Sequence, residues 1–146
     1  MRRLDVFCGR HSPKTFLAFE KQRHLKRWKR IVSEASKQCG RQFAPEIHFH
    51  PDIYATLETL PECPNSWVLV PEAANAVSWK KISSSGDNIT KHHRVLIGAE
   101  GGFHQDEIKL SLRSGMHPVF LGPRILRSET AAISAVSILQ FLWGDL

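Results

Sequence analysis

Two short β-branched or aromatic runs near the carboxy end each stop at a glycine and give way to a helical pattern. The first is Val95-Leu96-Ile97-Gly98-Ala99-Glu100-Gly101-Gly102-Phe103, with Asp106, Glu107 and Ile108 opening the helix after it. The second is Val119-Phe120-Leu121-Gly122-Pro123-Arg124-Ile125-Leu126-Arg127, followed by Ser128, Glu129, Thr130 and Ala131. A glycine allows the chain to turn with positive φ, or to bring bare backbone against a ligand. Turns of this kind at the carboxyl ends of parallel strands are where open α/β sheets bind small molecules. Two of them about twenty residues apart imply one shared pocket.

The pattern around them is consistent with a single α/β domain over residues 1–146, long enough to bury roughly 68–70% of its unfolded surface. Residues 1–20 show no sustained period, and Gly9, Ser12 and Pro13 read as loop. Trp28, Ile31, Val32, Ala35 and Cys39 predict an amphipathic helix from Lys26 to a stop at Gly40. Asp52 can cap a short helix bearing Ile53 and Leu57. Trp67–Val70, Val95–Ile97 and Pro118–Leu121 read as strands, with Pro118 fitting only a first or edge position. Ala73–Lys81, the segment after Phe103 and a last helix capped by Ser128 read as helices. Ala132, Ala135, Val136, Leu139 and Leu142 would form the inner face of that last helix. Strands alternating with helices predict a mostly parallel sheet with helices on both faces.

Charge is concentrated at one end. Residues 1–41 hold twelve Lys/Arg against three acids, a local charge of +9, whereas the remainder carries −3. A basic surface of this kind suits a phosphate backbone, and is also what a solvated helix face looks like. Cys8, Cys39 and Cys63 are widely spaced and odd in number, which reads as reduced thiols in a cytoplasmic protein. No apolar run is long enough for a membrane helix. His48 and His50 lack the further ligands of a zinc site, so no metal is expected. His92-His93 reads as a surface pair, Trp28 as packing and Trp143 as core or interface.

The glycine spacing fits neither a phosphate loop nor a dinucleotide fingerprint. In the second turn, Leu121, Ile125 and Leu126 can sandwich an aromatic ring while Arg124 and Arg127 face an anion. Those cations oppose the dipole of the helix they precede, a local conflict typical of functional sites.

Ile97 to Phe103 with Glu107-Ile108, and Leu121 to Ala131, resemble the signature turns of the ribosomal RNA small-subunit methyltransferase E family, in the SPOUT class. Arg27-Trp28, Glu34-Ala35, Gln38 to Arg41 and Pro45-Glu46-Ile47 are similar to that family's upstream helix. Ala99 stands where the family usually has proline. The resemblance implies a carboxy-terminal trefoil knot, a homodimer joined through it, and S-adenosylmethionine cupped by three loops. Those loops map onto Leu69, Val70 and Glu72, onto Ile97, Gly98, Gly101 and Gly102, and onto Leu121, Gly122, Ile125, Leu126, Thr130 and Ala131. It further implies methylation of uridine N3 in 16S rRNA of the small ribosomal subunit. Arg127 or Arg124 would stabilise charge on the base, and Glu129 or Glu100 would take its proton. Capping is an equal role for Glu129. Arg10, His11, Arg27, Arg30 and Arg41 would meet rRNA phosphates. The family places a PUA-like domain and a first strand–helix ahead of the matching region, so the chain is expected to lack both. A non-catalytic RNA-binding or ribosome-associated module and a SPOUT enzyme acting on tRNA are the competing readings.

Overall fold

A computed structural model describes residues 1–12, 21–71, 76–83 and 92–146. They divide into two compact units, one of Met1–Cys8 and Ser12–Thr59, the other of Gly9–His11 and Leu60–Leu146.

In the first unit β1 (Arg3–Phe7) pairs in parallel with β2 (Glu46–His50), joined through α1 (Lys21–Gln38) and followed by α2 (Ile53–Thr59). The strand β1 lies where only loop was expected. It alternates Leu4 and Val6 with Arg3 and Asp5, and the charged residues satisfy one another: both Asp5 oxygens accept from the Arg3 guanidinium, at 2.7 and 2.8 Å. His50 Nε2 adds a 2.7 Å hydrogen bond to Asp5 Oδ1. Burial alone pushes the Asp5 carboxyl up, but the bonds from Arg3 and His50 outweigh it and leave its pKa below the ordinary value.

Helix α1 starts earlier than Lys26, and its covered stripe differs from the predicted one. Ile31, Ala35 and Cys39 are exposed, whereas Ser36 is buried, its hydroxyl satisfied by donating to the Val32 carbonyl at 2.7 Å. Trp28 is packing, as expected, stacked on Phe49 with 5.1 Å between ring centroids. Asp52 caps α2 as predicted, its Oδ1 accepting from the Ala55 N–H at 2.9 Å, and Ile53 is fully buried.

The second unit contains β3 (Asn65–Leu69), β4 (Val77–Ser78), α3 (Trp79–Ser83), β5 (His93–Leu96), α4 (Gln105–Arg113), β6 (His117–Phe120) and α5 (Ser128–Trp143). The sheet order is β4-β6-β3-β5 and every pairing is parallel. β6 therefore enters between two strands that precede it, and the chain reverses its direction of sheet growth beside β3. Pro118 is the second residue of β6 rather than its first, but its position is locally an edge, as expected. It is tolerated because β4 reaches only Val119 and Phe120, so at Pro118 the pairing is with β3 alone.

The expected helix over Ala73–Lys81 is instead β4 followed by α3; Ala73–Asn75 lie outside the described residues. Trp67, Trp79 and Val119 form the core, with Leu69, Ile82, Val95, Leu121, Ile138, Leu139 and Trp143 packed around them. Trp143 thus packs against this core. His93 is not a surface residue: its ring stacks on Trp143 at 4.6 Å. On α5 the deepest positions are Ala131 and Ala135, with Ala132, Val136 and Leu142 only partly covered. Gly115, at φ +80°, ends α4 as predicted by taking the left-handed position after its C-cap.

Candidate functional site

The carboxyl ends of β6, β3 and β5 lie side by side, so the chain leaving each strand emerges at one edge of the sheet. This is the reversal point at which open parallel sheets bind ligands. Val70 prolongs the β3–β6 pairing, its N–H donating to the Val119 carbonyl at 2.9 Å. Ile97–Gly102 follows β5 and Leu121–Arg127 follows β6. The two turns are tied directly, because Ser128 Oγ donates to the Gly98 carbonyl at 2.9 Å.

Ser128 does not take the capping role expected of it. Arg127 occupies the N-cap of α5 without any side-chain cap bond, and Ser128 is the first helical residue. The helix start thus has no side-chain cap and bears two exposed cations, Arg124 and Arg127. Among the described residues neither guanidinium has an ion-pair partner. Glu129 lies in the first turn of α5, where its charge favours the dipole, and Glu100 tops the first glycine turn; both are exposed.

The glycines do different work. Gly102 and Gly122 have φ of +71° and +108°, and a Cβ on either would meet nothing within 4 Å. Gly98 is tightly packed: a Cβ there would lie 3.1 Å from the Gly102 carbonyl carbon and 3.2 Å from the Phe103 ring. At Gly101 the obstacle would be the His11 Cβ, at 2.8 Å. The Gly102 N–H donates to the Ala99 carbonyl at 2.8 Å, closing the turn without the proline of the family pattern.

The RNA methyltransferase domain family matches residues 3–140.

This chain belongs to that family.

Proteins named ribosomal RNA small subunit methyltransferase E are among its relatives. That of Buchnera aphidicola from Acyrthosiphon pisum is 31% identical over 121 residues, covering 83% of this chain and 46% of the relative. That of Buchnera from Schizaphis graminum is 37% identical over 121 residues, covering 82% and 46%. The domain thus spans about half the length of these relatives. Among solved structures, Lpg2936 of Legionella pneumophila, in complex with the cofactor SAM, superimposes with a TM-score of 0.81 at 30% identity. That match covers all of this chain and 57% of the other.

The remaining predicted site residues are dispersed. Leu69, Val70, Ile97 and Leu121 are at least partly covered, and Ala131 is buried. Leu126 is half-buried and Ile125 is 87% exposed. Thr130 is exposed, and Glu72 lies outside the described residues.

Arg27, Arg30 and Arg41 are exposed in the first unit, Arg30 within 3.7 Å of Glu34 and Arg41 bonded to the Met1 carbonyl. Arg10 and His11 belong to the second unit instead, at the start of α4. His48 contacts Glu46, and among the described residues no three His, Cys, Asp or Glu are gathered as metal ligands would be. No helix of the described residues is long and apolar enough to cross a membrane.

Sequence reasoning missed how α4 begins. His104 is its N-cap, and the buried Glu107 carboxylate accepts from the His104 N–H at 2.7 Å, completing a capping box. The other Glu107 oxygen accepts from the Arg10 N–H at 3.0 Å. A glutamate three residues after a possible cap was the available signal; the partner ninety-seven positions away was not.

Proposed function

We propose that this domain transfers a methyl group from S-adenosylmethionine to N3 of a uridine in 16S rRNA, working as a homodimer with a knotted carboxy-terminal part in the cytoplasm. The observation that carries the reading is the pair of glycine turns bonded together at three adjacent strand ends. Beside them stand two arginines with no ion-pair partner among the described residues. Support for the knot comes from β6 entering the sheet between two earlier strands. Support for the dimer comes from α5, which is apolar nearly all round yet leaves Ile133 and Phe141 69% and 75% exposed.

The residues present fit the cofactor. Open space above Gly102 and Gly122 leaves main-chain groups facing a ligand with no side chain between. Backbone of Gly101, Leu121 and Leu126 would hold the adenosyl part, with Ala131 and Val70 beneath. Bound there, S-adenosylmethionine supplies an electrophilic methyl group. Uridine N3 must lose its imino proton to react, and Glu129 or Glu100 would accept it. The charge that then spreads over the uracil oxygens would be balanced by Arg127 or Arg124. Arg27, Arg30 and Arg41 would hold rRNA phosphates, a salt-dependent contribution.

Calorimetric titration with S-adenosylmethionine, then methyl transfer to small ribosomal subunits, tests this. Binding with N3-methyluridine appearing in 16S rRNA is expected, and absence of binding would overturn it. Binding without turnover would favour the non-catalytic module, and methyl groups appearing in tRNA would favour the tRNA enzyme.

A further inference from the structure

We propose that Gly9–His11 is a strap that fixes the orientation of the Gly101–Gly102 peptide, with His11 as the positioning residue. It follows that Gly101 is glycine because of His11 and not because of a ligand.

Four contacts anchor the strap on the start of α4. The Arg10 N–H donates to the buried Glu107 carboxylate. The Arg10 guanidinium donates to Asp106 Oδ2 at 3.0 Å and lies 3.4 Å from His104 Nδ1. His104 Nδ1 also accepts from the Asp106 N–H at 3.3 Å, so the cation bridges two acceptors. The His11 ring stands edge-on to that of His104, with centroids 5.9 Å apart.

So held, His11 places Nδ1 3.0 Å from the Gly101 carbonyl. A carbonyl only accepts, so His11 donates through Nδ1. The other end of the same peptide, the Gly102 N–H, donates to the Ala99 carbonyl at 2.8 Å. A peptide unit bonded at both its oxygen and its N–H cannot flip without breaking both bonds. The flip matters because the Gly101–Gly102 backbone is part of the proposed cofactor loop. Close approach of the strap has a steric cost: a methyl group at Gly101 would meet the His11 Cβ at 2.8 Å, a clash between a backbone-attached atom and another. His11→Asn keeps a donor near the Nδ1 position, His11→Ala keeps only the Cβ, and His11→Gly removes both.

The test is a double-mutant cycle of Gly101→Ala and His11→Gly, read two ways on the full chain. The first readout is hydrogen exchange at the Gly102 amide without ligand. The second is S-adenosylmethionine affinity, which alone rests on the proposed function. His11→Ala is expected to speed exchange about three- to tenfold, and His11→Asn to restore most of the protection. Gly101→Ala is expected to raise exchange and weaken binding about tenfold beside His11, but less than about threefold beside His11→Gly. Equal costs in both backgrounds would overturn the strap, because a ligand or the turn itself would then exclude the methyl group. If the unmodified chain fails to bind S-adenosylmethionine, the cofactor assignment fails, while the exchange cycle still decides the strap.

Discussion

Replacing Glu107 by alanine is expected to destabilise the second unit by about 3 kcal/mol. The side chain is only 2% exposed, and each of its oxygens accepts a backbone N–H, from His104 at 2.7 Å and Arg10 at 3.0 Å. A hydrogen bond to a charged group contributes about 1.5–3 kcal/mol, so the pair is worth roughly 3–6 kcal/mol gross. Removal of the carboxylate also recovers its desolvation cost, which holds the net loss at the lower end. Glu107→Gln keeps an acceptor for one N–H and turns an NH₂ toward the other, so about half the loss is expected. Urea unfolding followed by tryptophan fluorescence measures both, since Trp67, Trp79 and Trp143 lie in or against the core of this unit. The thermal midpoint of the alanine variant should fall by about 12–24 °C. A loss under about 1 kcal/mol for alanine, or a glutamine variant matching the parent, would refute the double-acceptor reasoning.

Gly122→Ala has open space for its methyl group, so its cost is the backbone alone: about 1–2 kcal/mol for an L-residue held at φ +108°, read from the same unfolding curves. Arg127→Ala is expected to lower the single-turnover rate of methyl transfer to small ribosomal subunits about 100-fold with an unchanged melting curve. The depressed Asp5 pKa adds stability that is complete above the ordinary carboxylate range, near pH 4, and is lost as pH falls through the lower folded value. Asp5→Asn should therefore flatten the acid limb of an unfolding-versus-pH curve. Exchanging Arg27 and Arg30 together for glutamate should weaken rRNA binding and reduce its log–log salt slope by roughly one to two, followed by filter binding across a salt series.

Where local chemistry was sufficient, the sequence could be read. Asp52 ahead of an apolar residue gave the cap of α2, Gly115 gave the end of α4, and glycines after β5 and β6 gave the two turns. Elements failed to show where a distant partner changed a residue's meaning. Asp5 hides β1 from a hydropathy pattern, because nothing nearby in sequence says that His50 will meet it. His93 reads as polar until Trp143 lies flat against it. Ser128 has the sequence context of a cap, yet it lies one residue inside the helix and its hydroxyl donates to the Gly98 carbonyl, thirty residues earlier.

The amino-acid order by itself determined the strand–helix alternation, the positions that demand glycine backbone and the family to which the chain belongs. These depend on propensity, periodicity and short motifs, which act over a few neighbouring residues. Tertiary structure alone decided that β6 slips between β3 and β4, that two turns share a hydrogen bond, and that Arg10 and His11 close over the first of them. Each of these needs groups far apart in the chain to meet with correct geometry, and hydrogen-bond partners at that separation leave no periodic trace.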